Sequence, residues 1–177
     1  MGSIMENLEL FLITYNRKEK LRRTLEAILK SNSPVRGFPL TVLDNASTDG
    51  SSEMLAELAA THSNIRHIRH TKNIGGNANI ARAFEMASAE YVWVLCDDDD
   101  YDFSAWDEVV ELLRQKPIAV VVASYLLPSK ETEYLFRQLS FVPAAIYRTD
   151  IITSDVVQNM YFNIAYMFPQ LAVAAAA

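Results

Sequence analysis

Four consecutive aspartates, Asp97 to Asp100, follow directly on the apolar run YVWVLC at 91–96. Four like charges side by side repel one another, so a ligand that neutralises them is the first chemistry to consider. In an extended chain alternate residues point the same way, which would aim Asp97 and Asp99 at one ion and Asp98 elsewhere. Clustered carboxylates suit a hard divalent cation such as Mg2+ or Mn2+. Such an ion takes one or two protein carboxylates and completes its shell with water and substrate phosphates. The plainer reading is a solvated acidic loop capping a helix from Ser104, where negative charge favours the helix N-terminus. A solvated charge run has no reason to begin right behind a buried strand, and this favours the metal.

Three other polar clusters share that kind of position. TYNR (14–17) follows the apolar segment LELFLI, and DNASTDGS (44–51) follows LTVL. TKNIGGNAN (71–79) follows NIRHIR. Asp44 is a carboxylate placed to meet ribose hydroxyls or a base edge, whereas Ser47, Thr48 and Asp49 read first as a turn and helix cap. Asn73, Gly75, Gly76 and Asn79 precede and open a helix, where glycines admit close backbone approach and the helix N-terminus favours anions, although the glycine pair reads equally as an ordinary turn. Lys72 and Arg82 offer positive charge to phosphates but read first as solvated surface groups, and Arg17 is open to the same two readings. His62, His67 and His70 show no metal-ligand spacing with the acidic cluster and read as structural. Cys96 reads as a packed strand residue. No Ser-His-Asp set and no P-loop pattern is present.

These clusters need elements to position them. Segments 8–14, 39–43, 64–69, 91–95 and 118–123 have strand character. Helical patterns lie between them: Leu21, Leu25, Ile28 and Leu29; then Met54, Leu55, Leu58 and Ala59; then Ile80, Ala83, Phe84 and Ala87; then Trp106, Val109, Val110 and Leu113. Strands alternating with such helices predict an α/β fold with a mainly parallel sheet and helices on both faces. The continuous apolar runs 91–95 and 118–123 are expected to be buried on both faces. In such sheets ligands sit beyond the carboxyl ends of the strands, which is where the four polar clusters fall. After residue 125 the rhythm breaks. Segment 139–147 keeps strand character around a proline, and 149–160 reads as a helix capped by Thr149 or Asp150.

The 177 residues are half apolar and carry a formal net charge of -6, with one cysteine. This is enough for one sizeable core, and a single domain over 1–177 is expected. The acidic balance argues against nucleic acid as a partner. No apolar run reaches the roughly 18 residues that span a membrane, and MGSIMENLE lacks the basic and apolar regions of a secretory signal. One cysteine fits a reducing cytoplasm.

The order LFLITYNR, LDNASTDGS, NIGGNANIARAFEMA and YVWVLCDDDDYD closely resembles the nucleotide-sugar-binding half of family 2 glycosyltransferases, over residues 8–116. The resemblance implies the A-type glycosyltransferase fold, a Rossmann-like, three-layer α/β/α sandwich. The implied activity is inverting, metal-dependent transfer of a sugar from a nucleoside diphosphate sugar, usually UDP-linked, to a saccharide or lipid-linked acceptor. The location it implies is the cytoplasm, with the membrane approached through the acceptor. By position, Thr14, Tyr15, Asn16 and Arg17 match the first nucleotide-contacting loop. Asp44 matches the acid that contacts the base, with Asn45, Ser47 and Asp49 beside it. Asn73, Gly75 and Asn79 match the segment along ribose and phosphates. Asp97, Asp98 and Asp99 match the D-x-D motif, Asp97 near ribose or sugar and Asp99 as metal ligand with it. Residues 117–177 are then the start of the acceptor-side part, to which 163–171 bears a resemblance. The family's general base has no match here. Asp150 and Asp155 lie in the right half, and nothing in their surroundings selects either. A nucleotide-sugar-binding module without transfer activity is the alternative. A sugar-phosphate nucleotidyltransferase would need a glycine-rich loop where TYNRKEK stands.

Overall fold

Leu8, Leu10 and Leu12 alternate with Phe11 and Ile13, the period of a strand that is apolar on both faces, and this segment lies inside the sheet as β1 (Leu8–Thr14). The structure is a computed structural model, and it describes residues 7–30, 32–122, 139–166 and 168–177. The elements that follow are α1 (Lys18–Leu29), β2 (Leu40–Asp44), α2 (Ser51–Thr61), β3 (Ile65–Arg69), α3 (Gly76–Met86), β4 (Tyr91–Cys96) and α4 (Trp106–Arg114). Beyond them come β5 (Ala119–Val121), β6 (Ala145–Arg148), α5 (Ser154–Phe162) and α6 (Gln170–Ala176).

The six strands form one sheet in the order β3-β2-β1-β4-β6-β5. β1 pairs in parallel with β2 and β4, and β2 with β3. β6 runs antiparallel to both β4 and β5. The chain therefore walks outward from β1 to β3 and then returns to the other side of β1. The reversal falls between β1 and β4, where a crevice opens at the carboxyl ends of an open α/β sheet.

Both faces of the sheet are covered. Leu8, Leu10, Leu12, Trp93 and Leu95 face Leu21, Leu25 and Ile28 of α1, Met54 and Leu55 of α2, and Trp106 and Leu113 of α4. Phe11, Leu43, Val92 and Val94 face Ile80, Ala83 and Phe84 of α3, together with Met160 of α5 and Val173 of α6. Trp93 is locked in place by its indole N–H, which donates to the carbonyl of Pro143 at 2.9 Å.

The last third departs from expectation in three places. Segment 118–123 is not a strand buried on both faces. β5 is three residues long, runs antiparallel at the sheet edge, and leaves Val121 48% exposed. The reason is topological: β6 inserts between β4 and β5 and takes the covered place. Residue 123 lies outside the described residues. The expected helix over 149–160 begins later. Residues 149–151 form a 3₁₀ turn, and Thr153 rather than Thr149 or Asp150 caps α5, its hydroxyl accepting from Val156 N at 3.4 Å. Thr149 turns its hydroxyl the other way, donating to the carbonyl of Ala89 at 2.6 Å. Of the strand expected over 139–147, only the part from Ala145 pairs in the sheet, as β6; Pro143 sits in a 3₁₀ turn ahead of it, where its missing N–H costs the sheet nothing.

Candidate functional site

Thr14, Asp44, Arg69 and Cys96 end the four parallel strands, so the loops behind them share one edge. Across the reversal point the Thr14 hydroxyl donates to Asp97 Oδ2 at 2.6 Å. Arg17 reaches from the start of α1 and places Nη1 3.2 Å from Asp97 Oδ1 and 2.6 Å from Asp98 Oδ2. Lys20, one turn on, brings Nζ to 3.6 Å from Asp98 Oδ2. Thr24 donates to the carbonyl of Asp97 at 3.1 Å and so ties the acidic turn to α1. A cavity of about 310 Å³ opens here, bounded by Thr14, Tyr15, Arg17, Asn45, Asn73, Gly75, Gly76, Asn79, Cys96, Asp97 and Asp98.

The loop after β2 is built around Asp44, which is 0% exposed. Its Oδ1 accepts from Ser47 N at 2.8 Å and its Oδ2 from Ser52 Oγ at 2.7 Å. Arg69 Nε and His67 Nε2 stand 3.6 and 3.7 Å from Oδ2. Burial alone would raise the Asp44 carboxyl, but His67, Ser47 and Ser52 together hold it well below the usual carboxylate range. Arg69 also donates to the carbonyl of Ser47 at 2.9 Å. Asn45 bridges to the next loop. Its Nδ2 donates to Asn73 Oδ1 at 2.9 Å and its Oδ1 accepts from Ile74 N at 2.9 Å. Asn73 Oδ1 also accepts from Gly75 N at 2.8 Å. Gly75, with φ +90° and ψ 152°, precedes α3 in an extended positive-φ conformation that no residue with a Cβ adopts without strain.

The expected residues fall into two sets. Thr14, Tyr15, Arg17, Asn45, Asn73, Gly75, Asn79, Asp97 and Asp98 meet at the cavity. Asn79 does so from a buried position, its amide shared between His70 Nε2 at 2.8 Å and the carbonyl of Leu43 at 3.1 Å. Asn16, Asp44 and Asp99 are not in the cavity wall. Asn16 takes a positive φ of 51° and accepts from Thr48 N at 2.7 Å, stapling the first loop to the second. Asp49 caps two helices, accepting from Lys18 N at 2.8 Å and from Ser51 N at 3.1 Å.

The alternation expected of the aspartates fails, because the strand ends at Cys96 and the chain turns at once. Asp97 and Asp98 converge on Arg17, while Asp99 lies in the wall of a neighbouring cavity with Trp93, Tyr101, Phe103 and Trp106. Burial, then the charges of Asp98 and Asp97, push the Asp99 carboxyl up to about 6. Its Oδ2 is buried with no hydrogen-bond partner. Asp97, 3% exposed, is raised mainly by burial, with Thr14 and Arg17 opposing. Burial, aided by the neighbouring aspartates, pushes the Cys96 thiol far up and keeps it protonated, which removes it as a nucleophile.

Among the described residues, no three acidic, imidazole or thiol groups already converge as a cage. The donor set nevertheless fits Mg2+ or Mn2+. Such ions need only one or two protein carboxylates beside phosphate and water, and Asp99 offers a buried oxygen that nothing else satisfies.

Neither Asp150 nor Asp155 stands near the cavity. β6 runs antiparallel to β4, with Arg148 opposite Tyr91, so Asp150 follows at the opposite edge of the sheet, where it pairs with Arg148 at 2.8 Å. Asp155 opens α5 just beyond. Among the described residues, the turn just past α5 reaches the start of α3, where Asn77 donates to the carbonyl of Ile164 at 2.9 Å. Sequence reasoning missed most of the supporting layer, namely Ser52, Arg69, Lys20 and Thr24, while His67 and His70, read as structural, support Asp44 and Asn79. The parallel spacing of β3 was a signal for His67 and Arg69, which alternate on the strand beside Asp44.

Known proteins resemble this chain in sequence and in fold. The chain is 22% identical over 161 residues to the poly(ribitol-phosphate) beta-N-acetylglucosaminyltransferase TarP of Staphylococcus aureus (strain N315), covering 89% of this chain and 46% of that protein. It is 32% identical over 87 residues to the abequosyltransferase RfbV of Salmonella typhimurium, covering 49% of this chain and 26% of RfbV. The chain thus spans less than half the length of these curated relatives. Among solved structures, S. aureus TarS 1-349 in complex with UDP superposes with a TM-score of 0.71 at 20% identity, over 96% of this chain and 54% of that one. The mannosyltransferase PcManGT of Pyrobaculum calidifontis, in complex with GDP-Man and Mn2+, gives 0.62 at 18% identity, over 82% of this chain and 45% of that one. These neighbours share the A-type glycosyltransferase fold. The family model for Glycosyl transferase family 2 matches residues 10–173, and the chain belongs to that family.

Proposed function

We propose that the chain forms the donor-binding part of an inverting, metal-assisted glycosyltransferase. The donor is a UDP-linked sugar and the acceptor a hydroxyl on a saccharide or lipid-linked carrier. The observation that carries this is the cavity at the β1/β4 reversal point, where Thr14, Arg17, Gly75 and Asp97 meet. TarS, solved with UDP and with UDP-GlcNAc, supports the uridine donor. PcManGT, solved with Mn2+, supports the metal.

In this reading Tyr15, half exposed at the rim, and Asn45 take the nucleoside side. Asp44 acts through the loop it organises. Gly75 and the N-terminus of α3 offer backbone N–H groups to the diphosphate. Arg17 adds a cation. Asp97, with Asp98 beside it at the cavity, would hold Mg2+ or Mn2+, and Asp99 would join them by turning its unpartnered Oδ2 in from the neighbouring side; such an ion, when bound, stabilises the charge developing on the leaving diphosphate. The acceptor hydroxyl attacks the anomeric carbon from the side opposite that group, and a carboxylate takes its proton. Asp150 and Asp155 stand at the far edge of the sheet, so neither is assigned that role.

Calorimetry with UDP in the presence of Mn2+ or of a chelator tests the reading. Binding that needs the ion and fails in Asp99→Ala is the expected result. UDP affinity indifferent to both changes would sink it. The position of Asp150 also favours a second reading, a module that holds a nucleotide sugar without transferring it. Slow, metal-dependent release of UDP from a UDP-sugar would rule that out.

A further inference from the structure

We infer that Arg17 guards the acidic turn: its guanidinium fills the place of an incoming cation until a diphosphate draws it away, so that ion and nucleotide bind as a pair. The inference rests on the donor-site reading above. Asp97 Oδ2 is held by the Thr14 hydroxyl at 2.6 Å, which leaves Oδ1 as the oxygen open to an ion, and Arg17 Nη1 already sits 3.2 Å from it. The same nitrogen lies 2.6 Å from Asp98 Oδ2. One cation therefore spans the two carboxylates that face the cavity. A metal ion entering alone must evict it, because two positive groups cannot share those oxygens at contact distance. The Arg17 side chain is 48% exposed, so leaving forfeits little packing. It borders the same cavity as Gly75 and Gly76, so a diphosphate bound there is within its swing. Once the guanidinium turns to phosphate, Asp97 Oδ1 and Asp98 are freed while the added negative charge favours a metal. Coupling of this kind is reciprocal: nucleotide raises metal affinity by the factor by which metal raises nucleotide affinity.

The test is a Mn2+ titration followed by the electron paramagnetic resonance signal of the free ion, with and without UDP. Wild type, Arg17→Gln, Arg17→Lys and Lys20→Gln are compared. Arg17→Gln is expected to bind Mn2+ alone about tenfold more tightly than wild type, the effect of deleting one partly exposed charge-assisted contact. The enhancement by UDP should shrink by a similar factor. Arg17→Lys should stay near wild type. Lys20→Gln removes the same charge from 3.6 Å and touches only Asp98, so its change should be about twofold at most. If wild type binds Mn2+ with UDP while Arg17→Gln binds Mn2+ alone no more tightly than wild type does, the guard is overturned and the donor-site reading stands. An equal gain in Lys20→Gln would also overturn it, since general charge would then explain both. If wild type takes up no Mn2+ even with UDP, the metal reading falls and the guard falls with it.

Discussion

Asp44→Asn removes one charge and almost no volume, so it isolates what the buried carboxylate does. The wild-type group is fully buried and accepts from Ser47 N at 2.8 Å and Ser52 Oγ at 2.7 Å, with Arg69 Nε at 3.6 Å. A hydrogen bond to a charged group contributes about 1.5–3 kcal/mol. The amide keeps one carbonyl oxygen and can satisfy Ser47 N, and the Ser52 hydroxyl can rotate to accept from the new NH2. What is lost is one charge-assisted bond and the attraction of Arg69, a total of about 2–3 kcal/mol. For a chain of this size that corresponds to a fall of roughly 4–12 °C in Tm. The pH dependence is a sharper check. The folded carboxyl titrates below its ordinary value of 3.8, so its contribution is complete above that value and is lost as pH falls through the folded one. Urea denaturation of wild type and Asp44→Asn should show the full gap at pH 7 and a narrowing gap from pH 4 downward. Ser52→Ala, which removes one donor, should cost about 1 kcal/mol. No loss of stability in Asp44→Asn at pH 7, or a gap that does not change with acid, would refute the assignment of Asp44 as the charged pillar of this loop.

Other variants probe the rest of the site. Asp99 titrates near 6 in the fold, against 3.8 ordinarily, so the native state resists its ionisation and stability falls as pH rises from about 4 to about 6. Asp99→Asn, measured in chelator, should flatten that fall and gain about 1 kcal/mol at pH 7 once its partial exposure is allowed for; an unchanged slope would contradict this. Gly75→Ala forces a side chain into φ +90° and should cost about 1–3 kcal/mol by thermal denaturation. Gly76→Ala, inside the helix with open space around it, should cost nothing or add stability. Thr153→Ala should destabilise by about 0.5–1 kcal/mol, the low end for a cap because its bond is long at 3.4 Å; an effect at the noise level would move the start of α5.

The element order through α4 was legible in the sequence because local patterns carry it. Alternation in LELFLIT and the spacing of Leu21, Leu25 and Ile28 are properties of neighbours along the chain, and β1 and α1 appear where those patterns lie. The grouping of TYNR, Asp44-Asn45, the glycine pair and the aspartates on one edge was legible too, since parallel strands bring their carboxyl ends together whatever the loops contain. The family followed from those motifs in that order. The sequence could not say which way each aspartate faces. That depends on where β4 ends, on the Thr14 hydroxyl and on Arg17, residues about eighty positions away that meet the turn only once β1 and β4 pair. Nor could it show that Asp44 lies under the loop rather than in the cavity wall, because Ser52 and the strand pair β2/β3 close over it. β6 is the same case. Its insertion between β4 and β5 is a long-range pairing with no local signature, and it decides that β5 is an edge and that Asp150 lies far from the cavity. Local periodicity settles the type and order of elements because it costs no loop closure; facing, burial and edge position come from contacts distant in sequence, and these exist only in the assembled sheet.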